Sequence, residues 1–213
     1  MLDHIQSTLE RDCQILPDKQ ILVGVSGGAD SLCLLDILIR LGYPVLVAHF
    51  NHLLRPEASD DARAVEGIAD MLKVPLVLGE GSANDYAQEH NLSIEESARN
   101  LRYRFLFKRA EIHDAKAVAV AHNADDQVET VLMHLLRGAG LDGLTGMPYR
   151  ALPNPWSETI PLVRPLLGIW RTEIETYCTE RELNPVIDRS NIDTTFFRNR
   201  LRHELIPELD TYP

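Results

Sequence analysis

The sequence predicts an α/β protein: a doubly wound, Rossmann-like parallel sheet with helices on both faces. Three observations carry this expectation. Short β-rich apolar runs alternate with longer helical patterns as far as Arg137. Runs such as Val45-Leu46-Val47-Ala48 and Val118-Ala119-Val120-Ala121 are apolar at every position, as parallel strands are when both faces are covered. Glycine-rich and polar clusters sit just past the ends of these runs, at the carboxyl edge where open α/β sheets bind their ligands.

A first strand is expected over residues 20–25, leading through Ser26, Gly27 and Gly28 into a helix over 31–41. A second strand, 44–49, runs into the polar cluster His49-Phe50-Asn51-His52. The next helix spans 57–72, where Ala58, Ala62, Val65, Ile68, Ala69 and Leu72 recur at spacings of three and four, the stripe of an amphipathic helix. A strand over 74–78, a helix over 94–113, a strand over 116–121 and a helix over 125–137 continue the alternation, with His122-Asn123-Ala124-Asp125-Asp126 at the last junction. Beyond Arg137, Gly138, Gly140, Gly143 and Gly146 are followed by Pro148, Pro153 and Pro155. That texture reads as a loop, either mobile and close to the site or a plain connection. A last strand is expected within 159–166, and helices over 169–181 and 196–209.

A chain of 213 residues suits one well-buried domain, residues 1–213, with 138–213 as a loop and helical extension of it. The ending Leu209-Asp-Thr-Tyr-Pro213 reads as a boundary inside a longer protein or a truncated gene product. With 45% hydrophobic and 25% charged residues the composition is that of an ordinary globular domain. No stretch approaches ~18 consecutive apolar residues, and the N-terminus carries Asp3, His4, Gln6 and Glu10 rather than a signal-peptide core. A cytoplasmic location without membrane contact is the expectation. Cys13, Cys33 and Cys178 lie far apart with no C-x-x-C pair, so a disulfide framework, a zinc knuckle or an iron–sulfur site has no support and buried thiols are expected. The net charge of −11 argues against self-sufficient nucleic-acid binding. Basic residues do cluster, at Arg99, Arg102, Arg104, Lys108 and Arg109 and again at Arg189, Arg198, Arg200 and Arg202. These read either as local anion-binding patches or as solvated faces with intramolecular ion pairs.

The most specific segment is Gly24-Val-Ser-Gly-Gly-Ala-Asp-Ser31. Between a strand and a helix, Ser26, Gly27 and Gly28 bring backbone N–H groups near an anion, and the positive end of the helix dipole points to the same place. A phosphate is the natural occupant. The Gly-Lys-Ser/Thr ending of a Walker loop and the third glycine of a dinucleotide fingerprint are both missing. The loop instead resembles the SGGxDS pyrophosphate loop (PP-loop) of the N-type ATP pyrophosphatases, which cleave ATP between its α and β phosphates.

With the remaining motifs the chain resembles the N-terminal catalytic domain of the tRNA(Ile)-lysidine synthetases. The segments are Ala48-His-Phe-Asn-His-Leu-Leu-Arg55, Glu96-Ser-Ala-Arg-Asn-Leu-Arg-Tyr-Arg-Phe-Leu106, Ala121-His-Asn-Ala-Asp-Asp-Gln-Val-Glu-Thr130, Gly138-Ala-Gly-Leu-Asp-Gly-Leu-Thr-Gly-Met147, Asp188-Arg-Ser-Asn191 and Arg198-Asn-Arg-Leu-Arg202. Asn123 stands where the family often has a second His or a Thr, and the family's usual C-terminal tRNA-binding domains are not in this sequence. The resemblance implies an adenine nucleotide α-hydrolase-like fold and an ATP- and Mg²⁺-dependent ligase that joins free L-lysine to the wobble cytidine of a CAU-anticodon tRNA(Ile). ATP adenylates the cytidine O2 with release of pyrophosphate, and the lysine ε-amine then attacks C2 and displaces AMP. A homodimer is a further expectation.

Under that resemblance, ATP contacts fall to Ser26, Gly27, Gly28, Ala29, Asp30 and Ser31 of the loop, with Ala48 and Phe50 framing the adenine. His49 and His122, each ending a strand, donate to phosphate or adenine. A Mg²⁺ beside pyrophosphate is held by one or two carboxylates rather than by an all-protein cage, which points to Asp30 and Asp126. Asp125 and Asp126 also suit a helix N-cap. Glu129 shares a helix face with Asp126 and is the candidate for the lysine ammonium, against the alternative of a solvent-exposed carboxylate. Arg99 and Arg102 are assigned to catalysis, and with Arg198 and Arg202 they supply fixed positive charge for the α-phosphate or tRNA phosphates. Two other readings stay open: another tRNA-modifying chemistry of the same family, such as thiolation, and a non-catalytic ATP-binding module.

Overall fold

A computed structural model describes residues 1–54, 58–186, 197–209 and 211 of the chain. Its centre is a six-stranded sheet in the order β3-β2-β1-β4-β6-β5, formed by β1 (Ile21–Gly24), β2 (Val45–Asn51), β3 (Leu76–Glu80), β4 (Ala117–Ala119), β5 (Arg150–Ala151) and β6 (Leu162–Val163). All pairings are parallel except β5 with β6 at one edge. The chain builds outward from β1 to β2 and β3, then returns to lay β4 on the other side of β1. That reversal opens a crevice between the carboxyl ends of β1 and β4, the place where such sheets bind ligands.

The strands are apolar throughout because each alternate residue feeds a different core. Ile21, Val23, Val45, Val47, Ala117, Ala119 and Val163 enter one cluster, with Ile5 and Leu9 of α1 (Leu2–Arg11) and Leu34, Ile37 and Leu38 of α2 (Ala29–Arg40). Val65 of α3 (Ala58–Leu72) and Ile174 and Tyr177 of α7 (Arg171–Glu180) complete that face. Leu22, Leu46, Ala48, Val118, Val120 and Leu162 enter the other cluster, against Tyr103, Leu106 and Phe107 of α5 (Ile94–Ile112). Helices therefore cover both faces, as the sequence predicts.

The expected elements all form within the described residues, with some shortened and some added. The strand expected within 159–166 is reduced to Leu162–Val163, because Pro161 and Pro165 flank it and neither can donate to a ladder. The glycine-rich 138–146 stretch contains a 3-10 turn, Leu141–Thr145, and Gln127 holds Met147 just beyond it by two hydrogen bonds of 3.0 and 2.7 Å. Two helices were not foreseen from sequence, α1 and α4 (Ala83–His90), nor was the split of the last helix. α4 is short and starts at Ser82, whose hydroxyl accepts from the Asp85 N–H. The last helix runs from α8 (Phe197–Arg200) through a π turn (Leu201–Leu205) to α9 (Ile206–Leu209). Pro207 lacks the N–H that would bond to residue 203, and the chain widens just before it, so that Ile206 bonds back to Leu201. Arg55, Arg189 and the Asp188-Arg-Ser-Asn191 motif lie outside the described residues.

Candidate active site

β1 ends at Gly24, and Ser26, Gly27 and Gly28 turn the chain into α2. Gly27 has φ +91°, a conformation that ordinary side chains rarely adopt, while a Cβ there would meet Val186 and Val65 only at ordinary contact distances of 3.4 and 3.5 Å, so the constraint lies in the backbone. Its carbonyl accepts from the Val186 N–H at 2.9 Å, so the loop is held from outside as well. We expect Gly27→Ala to cost about 1–3 kcal/mol of stability from backbone strain; a denaturant midpoint unchanged from wild type would contradict this.

Ser31 folds the loop onto itself. Its hydroxyl donates to the Gly28 carbonyl at 2.9 Å and accepts from the Ser26 N–H at 3.2 Å. Ser26 and Ser31 therefore shape the loop through their mutual contacts. The first N–H groups of α2 receive no side-chain cap from Gly28, which leaves them as donors of the kind that suits an anion.

The neighbouring strand ends brace this loop. His49 is buried, and its Nδ1–H donates to the Val25 carbonyl at 2.9 Å, which fixes the ring against the loop. Ala48 has its side chain in the second core and its carbonyl bonded to the Val25 N–H at 2.9 Å, so its side chain forms no open adenine wall. Phe50 is half-buried and packs edge-on to His52 and against Phe105. Burial holds the His52 imidazole down at about 4, with Arg102 and His49 adding to the effect. Above pH 6.5 His52 is neutral in both folded and unfolded chains and costs nothing. Between pH 6.5 and about 4 the unfolded chain takes up a proton that the folded one refuses, so stability falls with pH. Allowing for its partial exposure, this amounts to on the order of 1–2 kcal/mol. A His52→Asn variant should lose that portion of the acid slope in denaturant titrations.

At the end of β4, α6 (Ala124–Leu136) begins at Asn123, which forms a reciprocal cap with Asp126. The Asp126 N–H donates to Asn123 Oδ1 at 3.0 Å and the Asn123 N–H donates to Asp126 Oδ2 at 3.1 Å. The Asn123 amide also donates to Asp30 Oδ1 at 3.2 Å, bringing the loop helix and α6 together. The cap expected of Asp125 is thus taken by Asn123, and Asp125 accepts from the Arg171 N–H at the start of α7 at 2.9 Å. Burial raises the Asp30 carboxyl, and the Asp126 charge adds to this, while Arg171 and Asn123 oppose it.

Glu129 lies one turn along α6 and is 1% exposed, which removes the solvent-exposed alternative. Its carboxylate pairs with Arg202 Nε at 2.7 Å and Arg198 Nε at 2.8 Å, both from the last helix. Arg202 also lies 3.7 Å from Asp126, and Arg171 lies 3.8 Å from Asp30. Burial raises Glu129 as well, against the pull of the two arginines. On the far side of β4, His122 is neutral: burial lowers it well below the usual histidine range, helped by Arg164, Arg102, Arg198 and Arg99. Arg99 stacks over Tyr103 at 5.0 Å and Trp156 at 5.8 Å, and Arg102 over Tyr103 at 5.3 Å. From sequence Asn123 is marked only as a departure from the family pattern, without a role, and Arg164 and Arg171 are not marked at all. The Asn-x-x-Asp pattern of 123–126 is a legible capping signal, whereas nothing local marks Arg164 or Arg171.

The donor set fits Mg²⁺. Asp30 and Asp126 supply hard oxygens from two elements, and among the described residues no group of three or more His, Cys, Asp or Glu forms a closed cage. Magnesium keeps waters and takes substrate phosphates for its other positions, so two carboxylates beside a phosphate loop suffice.

A glycine loop at the head of a helix, opposite paired aspartates at the sheet's switch point, defines a phosphate-binding α/β domain that handles nucleotides. The chain belongs to the PP-loop domain family, which matches residues 1–209. Its curated relatives include the tRNA(Ile)-lysidine synthases of Dehalococcoides mccartyi, 39% identical over 99% of this chain and 46% of that protein, and of Geobacter sulfurreducens, 45% identical over 91% of this chain and 41% of that protein. The chain thus spans less than half the length of these relatives. Among solved structures, the U34-tRNA thiolase NcsA from Methanococcus maripaludis with its [4Fe-4S] cluster aligns with TM-score 0.72 and 18% identity, over 87% of this chain and 64% of that one. The NMN synthetase from Francisella tularensis aligns with TM-score 0.58 and 14% identity, over 86% and 70%. Both likenesses concern the fold. Among the described residues no helix is long and apolar enough to cross a membrane.

Proposed function

We propose that this chain is the single ATP-dependent catalytic domain of a cytoplasmic tRNA(Ile)-lysidine synthase, joining lysine to the C2 of the wobble cytidine in a CAU-anticodon tRNA(Ile). The observation that carries the reading is the joining of Asp30 and Asp126 through Asn123 above the glycine loop, with Glu129 one turn farther along α6. Its similarity to the named synthases supports the choice of substrate.

In this reading the first N–H groups of α2 hold the ATP phosphates. Asp30 and Asp126 would hold Mg²⁺, which would supply charge neutralisation for a leaving pyrophosphate; the cytidine O2 attacks the α-phosphorus and pyrophosphate departs. Arg99 and Arg102 supply fixed positive charge toward the α-phosphate and the RNA backbone. His122, neutral among these arginines, is limited to hydrogen bonding and does not act as a cation. Glu129, whose two oxygens are held here by Arg202 and Arg198, would take the lysine ammonium by exchange with one of those guanidiniums; the ammonium releases its proton to solvent, and the ε-amine attacks C2 and expels AMP. Thiolation is disfavoured because the three cysteines are all buried and none adjoins another in sequence.

The test is transfer of labelled lysine to a CAU-anticodon tRNA(Ile) transcript with Mg²⁺ and ATP, scoring AMP and pyrophosphate alongside. Lysine on the RNA with stoichiometric AMP and pyrophosphate is expected. Pyrophosphate without lysine transfer would assign this chain the ATP chemistry alone, and no ATP cleavage would overturn the reading.

A further inference from the structure

Asn123 makes three hydrogen bonds with the two carboxylates and their helices although it is 1% exposed. Its side-chain oxygen accepts from the Asp126 N–H, its backbone N–H donates to Asp126 Oδ2, and its side-chain nitrogen donates to Asp30 Oδ1. The orientation of the amide follows from its neighbours, since the oxygen must face a donor and the nitrogen an acceptor. One oxygen of each carboxylate is thereby fixed, while the other lies 3.7–3.8 Å from an arginine, Arg202 for Asp126 and Arg171 for Asp30.

No other bond of this kind links α2 to α6 in the described site, and Asp30 and Asp126 repel each other. Arg171 and Arg202 each offset one carboxylate from outside, whereas Asn123 lies between the two and is hydrogen-bonded to both. We propose that Asn123 is the positioning residue that sets the separation and orientation of Asp30 and Asp126, and so the affinity of the site for the nucleotide-bound divalent cation. The inference rests on the ATP-dependent reading above and assigns Asn123 no contact with substrate.

Capping and bridging are separable by substitution. Serine caps a helix about as well as asparagine but cannot reach Asp30 as well as the Asp126 N–H. Asn123→Ser should keep the thermal midpoint of the unaltered chain, whereas Asn123→Ala loses cap and bridge together. The probe is Mn²⁺ titrated into the protein saturated with α,β-methylene ATP and followed by electron paramagnetic resonance. Partners that orient metal ligands typically govern affinity by about 10–100-fold, and we expect Asn123→Ser to weaken Mn²⁺ by at least about tenfold at unchanged melting temperature. The Mg²⁺ concentration for half-maximal pyrophosphate release should rise in parallel, with little change in the rate at saturating Mg²⁺. Mn²⁺ affinity within twofold of the unaltered chain would overturn the proposal, as would a loss that tracks a lowered melting temperature in both variants. If the unaltered chain with the analogue binds no Mn²⁺, the ATP and metal reading itself fails and takes this inference with it. Lysine transfer plays no part in the measurement, so an error about the RNA substrate would not disturb it.

Discussion

Asp126→Asn should lower ATP-dependent pyrophosphate release by about 10²–10³-fold, the scale on which removal of one preorganised electrostatic group slows group transfer. Folding should be nearly untouched. An asparagine side chain still offers an oxygen to the Asn123 N–H that Asp126 Oδ2 accepts from at 3.1 Å, so the helix cap survives. The substitution also removes the charge that helps to raise Asp30, so Asp30 should ionise at lower pH than in the unaltered chain. Asp30 binds a cation only when ionised, and its folded value lies above its ordinary one. Metal-dependent activity is therefore lost on acidification before an ordinary aspartate would protonate. Rapid-quench measurement of pyrophosphate, with circular dichroism melts as control, reads both effects. Residual activity within tenfold of wild type would remove Asp126 from the metal site.

Glu129→Gln should separate the two half-reactions. If Glu129 receives the lysine ammonium, lysine transfer should fall by at least about 10²-fold while lysine-independent pyrophosphate release changes little. The variant also leaves Arg198 and Arg202 without their full counter-charge. Stranding a buried charge typically costs 3–5 kcal/mol. Both guanidiniums keep some exposure, with side chains 28% and 24% exposed, so a loss of about 1–2 kcal/mol is expected from water's help. Equal loss of both half-reactions would assign Glu129 to the architecture of the site instead of to lysine.

Most of the fold was legible because its signals are local. Fully apolar strand runs, the 24–31 loop and the amphipathic stripe of α3 all announce themselves within a dozen residues. Asp30 and Asp126 were legible in the same way, as carboxylates at a strand-to-helix junction. Partnership was not. The sequence offers Glu129 as a carboxylate on the face of Asp126, but its burial depends on Arg198 and Arg202, about seventy residues onward and visible only once the last helix docks. For Arg198 and Arg202 the sequence leaves open phosphate contacts or intramolecular ion pairs, and in the structure both pair with Glu129. α1 and α4 were overlooked because they are short and polar, their formation depending on a few contacts such as Ile5 and Leu9 in the core or the Ser82 cap. Cys33 and Cys178, distant in sequence, meet where α2 packs on α7, and Cys178 donates to the Ala29 carbonyl at 3.6 Å.

The guanidiniums that balance the three site carboxylates all follow the sheet strands in sequence: Arg171 for Asp30, Arg202 for Asp126, and Arg198 with Arg202 for Glu129. During synthesis, the first four strands and the phosphate loop leave the ribosome while Asp30, Asp126 and Glu129 still lack those counter-charges. Even β6, the neighbour of β4, comes after them. A nascent chain therefore acquires its glycine loop early, and its electrostatically complete site only when the helix bearing Arg198 and Arg202 has emerged behind it.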